Sequence, residues 1–256
     1  MGNDIYQSLL KAKTTQEKQF AVLIDPDKLK MNNVDNIIHL AENAAVDCFF
    51  VGGSLLVNDV MNDCIDMIRK VSNTPIIIFP GSTMQINYNA DAILYLSLIS
   101  GRNPDLLIGR HVESAPMLHR SPLEVISTGY MLIDGGKPTT ASYISNTHPI
   151  PRDKDDIALC TALAGELLGL KTIFLDAGSG AQKAVSTSMI RTLSSQLSIP
   201  LIVGGGIRTP EKAAANIAAG ADVVVIGNAI EKDPTLLMEL SDAVHSTVPS
   251  FLNKIK

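Results

Sequence analysis

Three stretches in the second half of the chain, TIFLDAG (172–178), PLIVGGG (200–206) and DVVVIG (222–227), decide how the fold is read. Each is a continuous apolar run that ends in glycine. Continuous rather than alternating apolarity suits strands covered on both faces, as in a parallel sheet. Comparable runs recur toward the N-terminus at AVLID (21–25), CFFVGG (48–53), PIIIF (75–79), AILYLS (92–97) and EVISTGYMLID (124–134), the last interrupted by Gly129. Between them, apolar residues at three-to-four spacing predict helices over 34–45, 55–71, 156–170, 188–197 and 209–220, with a last one over 234–246. In the helix over 209–220, Thr209 is a good N-cap, Pro210 a favoured first-turn residue and Gly220 a stop.

Strict alternation predicts an α/β fold, and eight units in 256 residues favour a closed (β/α)8 TIM barrel over an open doubly wound sheet. One domain over 1–256 is expected. Residues 80–91 are too short and polar for a full helix, so a loop or shortened turn is expected in place of the third helix. Residues 135–152, rich in Thr, Ser and Pro, read as an irregular segment long enough to cover a site.

Composition narrows the function classes. Hydrophobic residues make up 46% and charged residues 18%, which supplies a large core and excludes a mainly disordered chain. A net charge of −5, with no dense basic stripe, argues against a nucleic-acid partner. Cys48, Cys64 and Cys160 form no CxxC pair, so buried thiols are expected rather than disulfides or a zinc site. The five histidines show no metal-binding spacing. No apolar run reaches the ~18–20 residues that cross a bilayer, and the first residues lack a signal-peptide core. A soluble cytoplasmic protein is the expectation.

Active groups of a TIM barrel sit at the C-terminal ends of its strands. There the chain carries DAGSGA (176–181), VGGGIR (203–208) and VIGNAI (225–230) in succession. Glycines let backbone N–H groups approach an anion, and a helix after Gly227-Asn228 would aim its positive end at the same place. Together they predict a phosphate cradle. The first strand ends in Asp25-Pro26-Asp27-Lys28 and the second in Gly52-Gly53-Ser54. A carboxylate from one and a hydroxyl from the other suit Mg²⁺, which takes few protein oxygens, though Asp25 could equally cap a helix. Asp176 could hydrogen-bond a small polyol phosphate, accept a proton from it, or merely cap the GSGA turn.

The ordered set LIDPDK, FVGGS, SGRNPDLLIGRHVESAP (100–116), GYMLIDGGKPTTASYIS (129–145), FLDAGSGA and VGGGIR resembles the geranylgeranylglyceryl phosphate synthase family, which includes heptaprenylglyceryl phosphate synthases. The likeness runs through nearly the whole chain and is nearest to the geranylgeranyl-type branch. It implies an ether-forming transfer of a long prenyl group, geranylgeranyl ahead of heptaprenyl, from its diphosphate to sn-glycerol 1-phosphate. It implies that Asp25 and Ser54 hold a Mg²⁺ bound to the prenyl diphosphate. Phe174, Leu175, Asp176, Ala177, Gly178, Ser179, Gly180, Gly205, Gly206, Gly227 and Asn228 would take glycerol 1-phosphate, with Asp176 and Asp25 as the catalytic carboxylates.

Two positions depart from the family pattern, which reads Tyr-Leu-Glu before AGSG where this chain has Phe174-Leu175-Asp176. A phenolic hydroxyl is lost and the carboxylate is one methylene shorter. The resemblance further implies a homo-oligomer, dimer or hexamer, and a lipid product implies transient membrane contact. A phosphosugar isomerase or synthase, and a non-catalytic phosphometabolite-binding barrel, are the competing readings.

Overall fold

The computed structural model describes residues 5–27, 31–54, 58 and 60–246. Eight strands, β1 (Gln19–Ile24), β2 (Cys48–Val51), β3 (Ile76–Ile78), β4 (Ala92–Leu98), β5 (Glu124–Leu132), β6 (Thr172–Asp176), β7 (Leu201–Gly204) and β8 (Val223–Ile226), follow one another around a closed barrel. Every neighbouring pair is parallel, and β8 returns to β1 with Ala21 opposite Val225.

The helices are α1 (Ile5–Thr15), α2 (Met31–Asn43), α3 (Met61–Val71), α4 (Arg110–His119), α5 (Thr140–Ser145), α6 (Asp155–Leu167), α7 (Thr187–Ser194), α8 (Pro210–Ala218), α9 (Asn228–Lys232) and α10 (Leu237–His245). At α8 the Thr209 side chain accepts from the Lys212 N–H, Pro210 opens the helix and Gly220 lies beyond its end at φ +111.

The barrel residues divide between two apolar layers because successive side chains on a strand point to opposite faces. One layer, with Val22, Phe49, Ile76, Ile173 and Leu175, packs against the surrounding helices. The other, with Ala21, Phe50, Ile77, Leu94, Ile126 and Phe174, fills the interior. Ile5 and Leu9 of α1 belong to this interior layer. The Ile5 and Tyr6 N–H groups, unpaired within the first turn of α1, donate to the Glu124 carboxylate at 2.7 and 3.0 Å. Glu124 begins β5, so α1 closes the barrel at the N-terminal ends of the strands. A buried Lys18–Asp222 pair at 2.8 Å lies at the same end.

The segment after β3 is a single 3-10 turn, Thr83–Gln85, in place of a third barrel helix. The segment 135–152 is not wholly irregular: Thr139 and Ser142 form a reciprocal capping box that starts α5. Two further helices, α1 and α4, went unread. The predicted 55–71 helix is seen from Met61, and residues 55–57 and 59 lie outside the described ones. Cys48 and Cys64 are buried thiols, but Cys160 is exposed on α6.

Candidate active site

Two pockets meet at the C-terminal mouth of the barrel, sharing Gly53, Ser54 and Phe79 in their walls. The first is the more polar of the two and lies over β6, β7 and β8. Its wall contains Asp25, Ser54, Phe174, Asp176, Gly178, Ser179, Gly180, Gly205, Gly206, Gly227 and Asn228. Leu175 and Ala177, two of the eleven residues assigned to glycerol phosphate, are not on it. They follow the strand alternation outward, buried in the layer beneath the helices.

The glycine loops are built for close approach. Gly178, Gly180, Gly205 and Gly206 have φ between +70 and +89, a region that costs other L residues about 1–2 kcal/mol. A Cβ on Gly205 would lie 2.5 Å from Asp176 Oδ1 and 2.6 Å from the Gly178 nitrogen. The expected helix after Gly227 is only the five-residue α9. With its amide turned to satisfy its neighbours, Asn228 accepts from the Gly180 N–H at 2.8 Å and donates to the Glu231 carboxylate at 3.2 Å.

Asp176 is the centre of the polar pocket. Its Oδ1 accepts from the Gly178 N–H at 2.7 Å and its Oδ2 from the Tyr130 hydroxyl at 2.5 Å. Burial raises the pKa of Asp176 against the lowering by these two donors. Burial also pushes the Tyr130 phenol well up, helped by the neighbouring carboxylate, so Tyr130 remains the donor. Tyr130 stands opposite Phe174 on the adjoining strand. A phenol therefore does reach the carboxylate in this chain, from β5 rather than from position 174. Phe174 instead completes an aromatic cluster, stacked on Phe79 at 5.1 Å and edge-on to Phe50 and Tyr130.

The second pocket is apolar and lies over β3, β4 and β5. Its wall includes Ile86 just after the 3-10 turn, Leu96 and Leu98 of β4, Leu106 of the π-helical turn Asp105–Gly109, Leu118 of α4 and Ile144 of α5. Tyr130 lines this pocket while its partner Asp176 lines the polar one. Their hydrogen bond thus crosses the seam between the two. Tyr95 donates to the His111 carbonyl at 2.6 Å, holding α4 against β4. Burial depresses the His111 imidazole, whose Nδ1 has no hydrogen-bond partner among the described residues.

The Asp25 and Ser54 side chains stand at neighbouring strand ends. A Cβ on Gly53 would come within 3.1 Å of three atoms of the Asp25 carboxyl group, so glycine there leaves room for the carboxylate. Gln85 fixes the loop: it donates to the Gly53 carbonyl at 2.9 Å and accepts from the Gly81 N–H at 3.1 Å. Among the described residues no group of three His, Cys, Asp or Glu gathers as for an all-protein metal cage. One carboxylate and one hydroxyl fit instead a hard cation that draws its remaining oxygens from water and ligand.

Tyr130 and Gln85 were invisible as site residues in the sequence. Tyr130 sits within an apolar strand run, and only the register of β5 against β6 places its hydroxyl on Asp176. Gln85 lay in a segment without periodicity.

Known proteins share this architecture. A protein of Chitinophaga pinensis named geranylgeranylglyceryl phosphate synthase is 55% identical over 249 residues, covering 97% of this chain and 99% of that one. A protein of the same name from Thermococcus kodakarensis is 39% identical over 227 residues, covering 88% and 89%. The crystal structure of (S)-3-O-geranylgeranylglyceryl phosphate synthase from Thermoplasma acidophilum, in complex with sn-glycerol-1-phosphate, superposes with a TM-score of 0.89. It is 34% identical and covers 94% of this chain and 98% of that one. Residues 12–247 match the PcrB family, and the chain belongs to it.

Proposed function

We propose that the chain is a geranylgeranylglyceryl phosphate synthase, joining sn-glycerol 1-phosphate to geranylgeranyl diphosphate with release of diphosphate. The observation that carries this is the seam: a polar, glycine-lined pocket and an apolar one meet where Asp176 and Tyr130 are hydrogen-bonded. The glycine loops take the phosphate of the acceptor, and the apolar pocket takes the prenyl tail.

Glycerol phosphate lies with its free primary hydroxyl at Asp176. Each carboxylate oxygen already accepts one hydrogen bond and keeps a lone pair for the substrate. The hydroxyl oxygen bonds to carbon 1 of the donor, while the bond from that carbon to the diphosphate oxygen breaks. The electron pair leaves with diphosphate, and the hydroxyl proton passes to Asp176. Asp25 and Ser54 would hold Mg²⁺, which supplies charge neutralisation for the leaving diphosphate. Phe79 and Phe174 exclude water beneath the reacting carbon.

Val112, Met117, Tyr143, Ile157 and Leu167 on α4, α5 and α6 are exposed apolar residues, through which we expect copies to associate as a dimer or hexamer. Among the described residues no helix is long and apolar enough to cross a membrane. The proposal places the enzyme in the cytoplasm, with transient membrane contact for release of product.

The test is transfer with radiolabelled glycerol 1-phosphate and separate C15, C20 and C35 prenyl diphosphates, with and without Mg²⁺. An extractable ether from the 1-phosphate and not the 3-phosphate, made best with C20, is expected. Preference for C35 would reassign the donor. No ether with any donor, from folded protein, would overturn the transferase reading.

A further inference from the structure

The motif GYMLIDGGKPTTASYIS contains one cation to which the mechanism above assigns no part, Lys137. We infer that Lys137 is a phosphate-binding residue, its ammonium closing over the acceptor's phosphate from the β5–α5 loop. The inference rests on reading the polar pocket as a phosphate site, and it names a cation set against that site's glycine loops.

The pocket wall contains the carboxylates Asp25, Asp176, Glu231 and Asp233 and the cations Lys137, Arg208 and Lys232. A phosphate entering so acidic a surrounding is repelled unless a cation stands beside it. Arg208 is anchored by a hydrogen bond to the Ala181 carbonyl. Lys232 ends α9, beyond the glycine loops. Lys137 comes to the loops themselves: its Nζ is 3.9 Å from where a Cβ on Gly180 would lie. Among the described residues no hydrogen bond or ion pair engages that ammonium.

The backbone carrying Lys137 is held in place although its side chain is exposed. The Gly135 carbonyl accepts from the Gln182 and Lys183 N–H groups, both at 2.9 Å, docking this loop on the β6–α7 loop. The Gly136 N–H donates to Asp134 Oδ1 at 2.8 Å, and the Thr139–Ser142 capping box fixes the other flank. Thr139 also packs where a Cβ on Gly178 would be, 2.7 Å from its Cγ2. A lysine between two such anchors loses little backbone entropy on engaging an anion. The gain is a charge-assisted hydrogen bond, which is stronger than a neutral one.

The experiment measures the affinity of folded wild type, Lys137→Ala and Lys137→Arg for glycerol 1-phosphate and for inorganic phosphate, by calorimetry at low and high salt. Lys137→Ala should bind both about tenfold more weakly, with a shallower salt dependence, and Lys137→Arg should recover most of the loss. In turnover, KM for glycerol phosphate should rise while kcat and the KM for prenyl diphosphate hold. Equal phosphate affinity in Lys137→Ala overturns the inference and leaves the glycine cradle standing. A rise confined to the KM of the prenyl diphosphate overturns it too, moving Lys137 to the other substrate. Failure of wild type to bind either phosphate removes the cradle itself, and the inference with it.

Discussion

The two halves of the barrel mouth are made of different material. Over β6, β7 and β8 the wall is largely backbone: glycines at positive φ around the Asp176 side chain. Over β3, β4 and β5 the wall is side chains from the 3-10 turn, α4 and α5. A backbone wall recognises a small, charged group by position and is intolerant of any added atom. A side-chain wall recognises bulk, and can be re-cut by single substitutions. The contrast suits an enzyme whose acceptor is fixed and whose donor is a chain of repeating units.

Substitutions should sort along that division. The largest effect is expected at Asp176, where Asp176→Asn should lower kcat by roughly 10²–10⁴-fold, the range for a positioned proton acceptor. Its affinity for glycerol phosphate, measured by calorimetry, should change only a few-fold. A turnover equal to wild type would remove Asp176 from proton transfer. Gly205→Ala comes next: strain at φ +79 and a contact of 2.5 Å with Asp176 should weaken acceptor binding by roughly a hundredfold, about 2–3 kcal/mol. The donor KM should stay unchanged, and a parallel loss of donor binding would show that the halves are not independent.

Tyr130→Phe probes the seam, with a loss in kcat on the order of tenfold. The Tyr130 hydrogen bond lowers the Asp176 pKa, so its removal should shift the acid limb of the pH–rate profile to higher pH. An unmoved limb would mean that Asp176 does not titrate in that limb. On the apolar side, Ala141→Trp should raise the KM for C20 donor several-fold, by filling space along α5, and spare a C15 donor. Equal losses for both donors would place the tail elsewhere.

The smallest effect is expected away from the mouth, where His245 Nε2 meets Asp47 Oδ2 at 2.9 Å and Nδ1 meets Ser241 Oγ at 3.0 Å. The hydrogen bond to Asp47 raises the imidazole pKa, with Asp242 adding to it against the cost of burial. A raised folded value means that the stabilisation is complete below the unfolded imidazole value, about 6.5, and lost as pH rises through the folded one. The melting-temperature gap between wild type and His245→Asn should therefore be widest in mild acid, no more than about 2–4 °C, and should narrow on the alkaline side. A gap constant with pH would make this contact one of shape alone.

The same division explains what the sequence discloses. Backbone walls leave a compositional trace, because glycine is the residue that tolerates them; GGGI and AGSG are legible without any neighbour. Side-chain walls leave none. The π-turn Asp105–Gly109 and α4 lie in a stretch with Pro104 and Pro116, and Ile108 and Val112 stay exposed, so no single face is apolar. Tyr130 was legible as a strand residue, but its meeting with Asp176 depends on a register 46 residues away. A contiguous motif does not disclose that the Leu175 and Ala177 side chains turn outward, because a strand presents alternate side chains to a ligand.

The seal at the other end of the barrel bears on the order of assembly. Helix α1 is the first described element, yet its two leading N–H groups await Glu124, 118 and 119 residues later. Lys18 awaits Asp222, 204 residues later. At roughly 5–20 residues per second of synthesis, α1 remains without its acceptor for about 6–24 s. During that time its apolar stripe, Ile5, Leu9 and Ala12, is held away from the interior it will close. The bottom of the barrel is therefore shut by a helix made well before its acceptor, and a nascent chain stalled before β5 carries that stripe as a surface for chaperones.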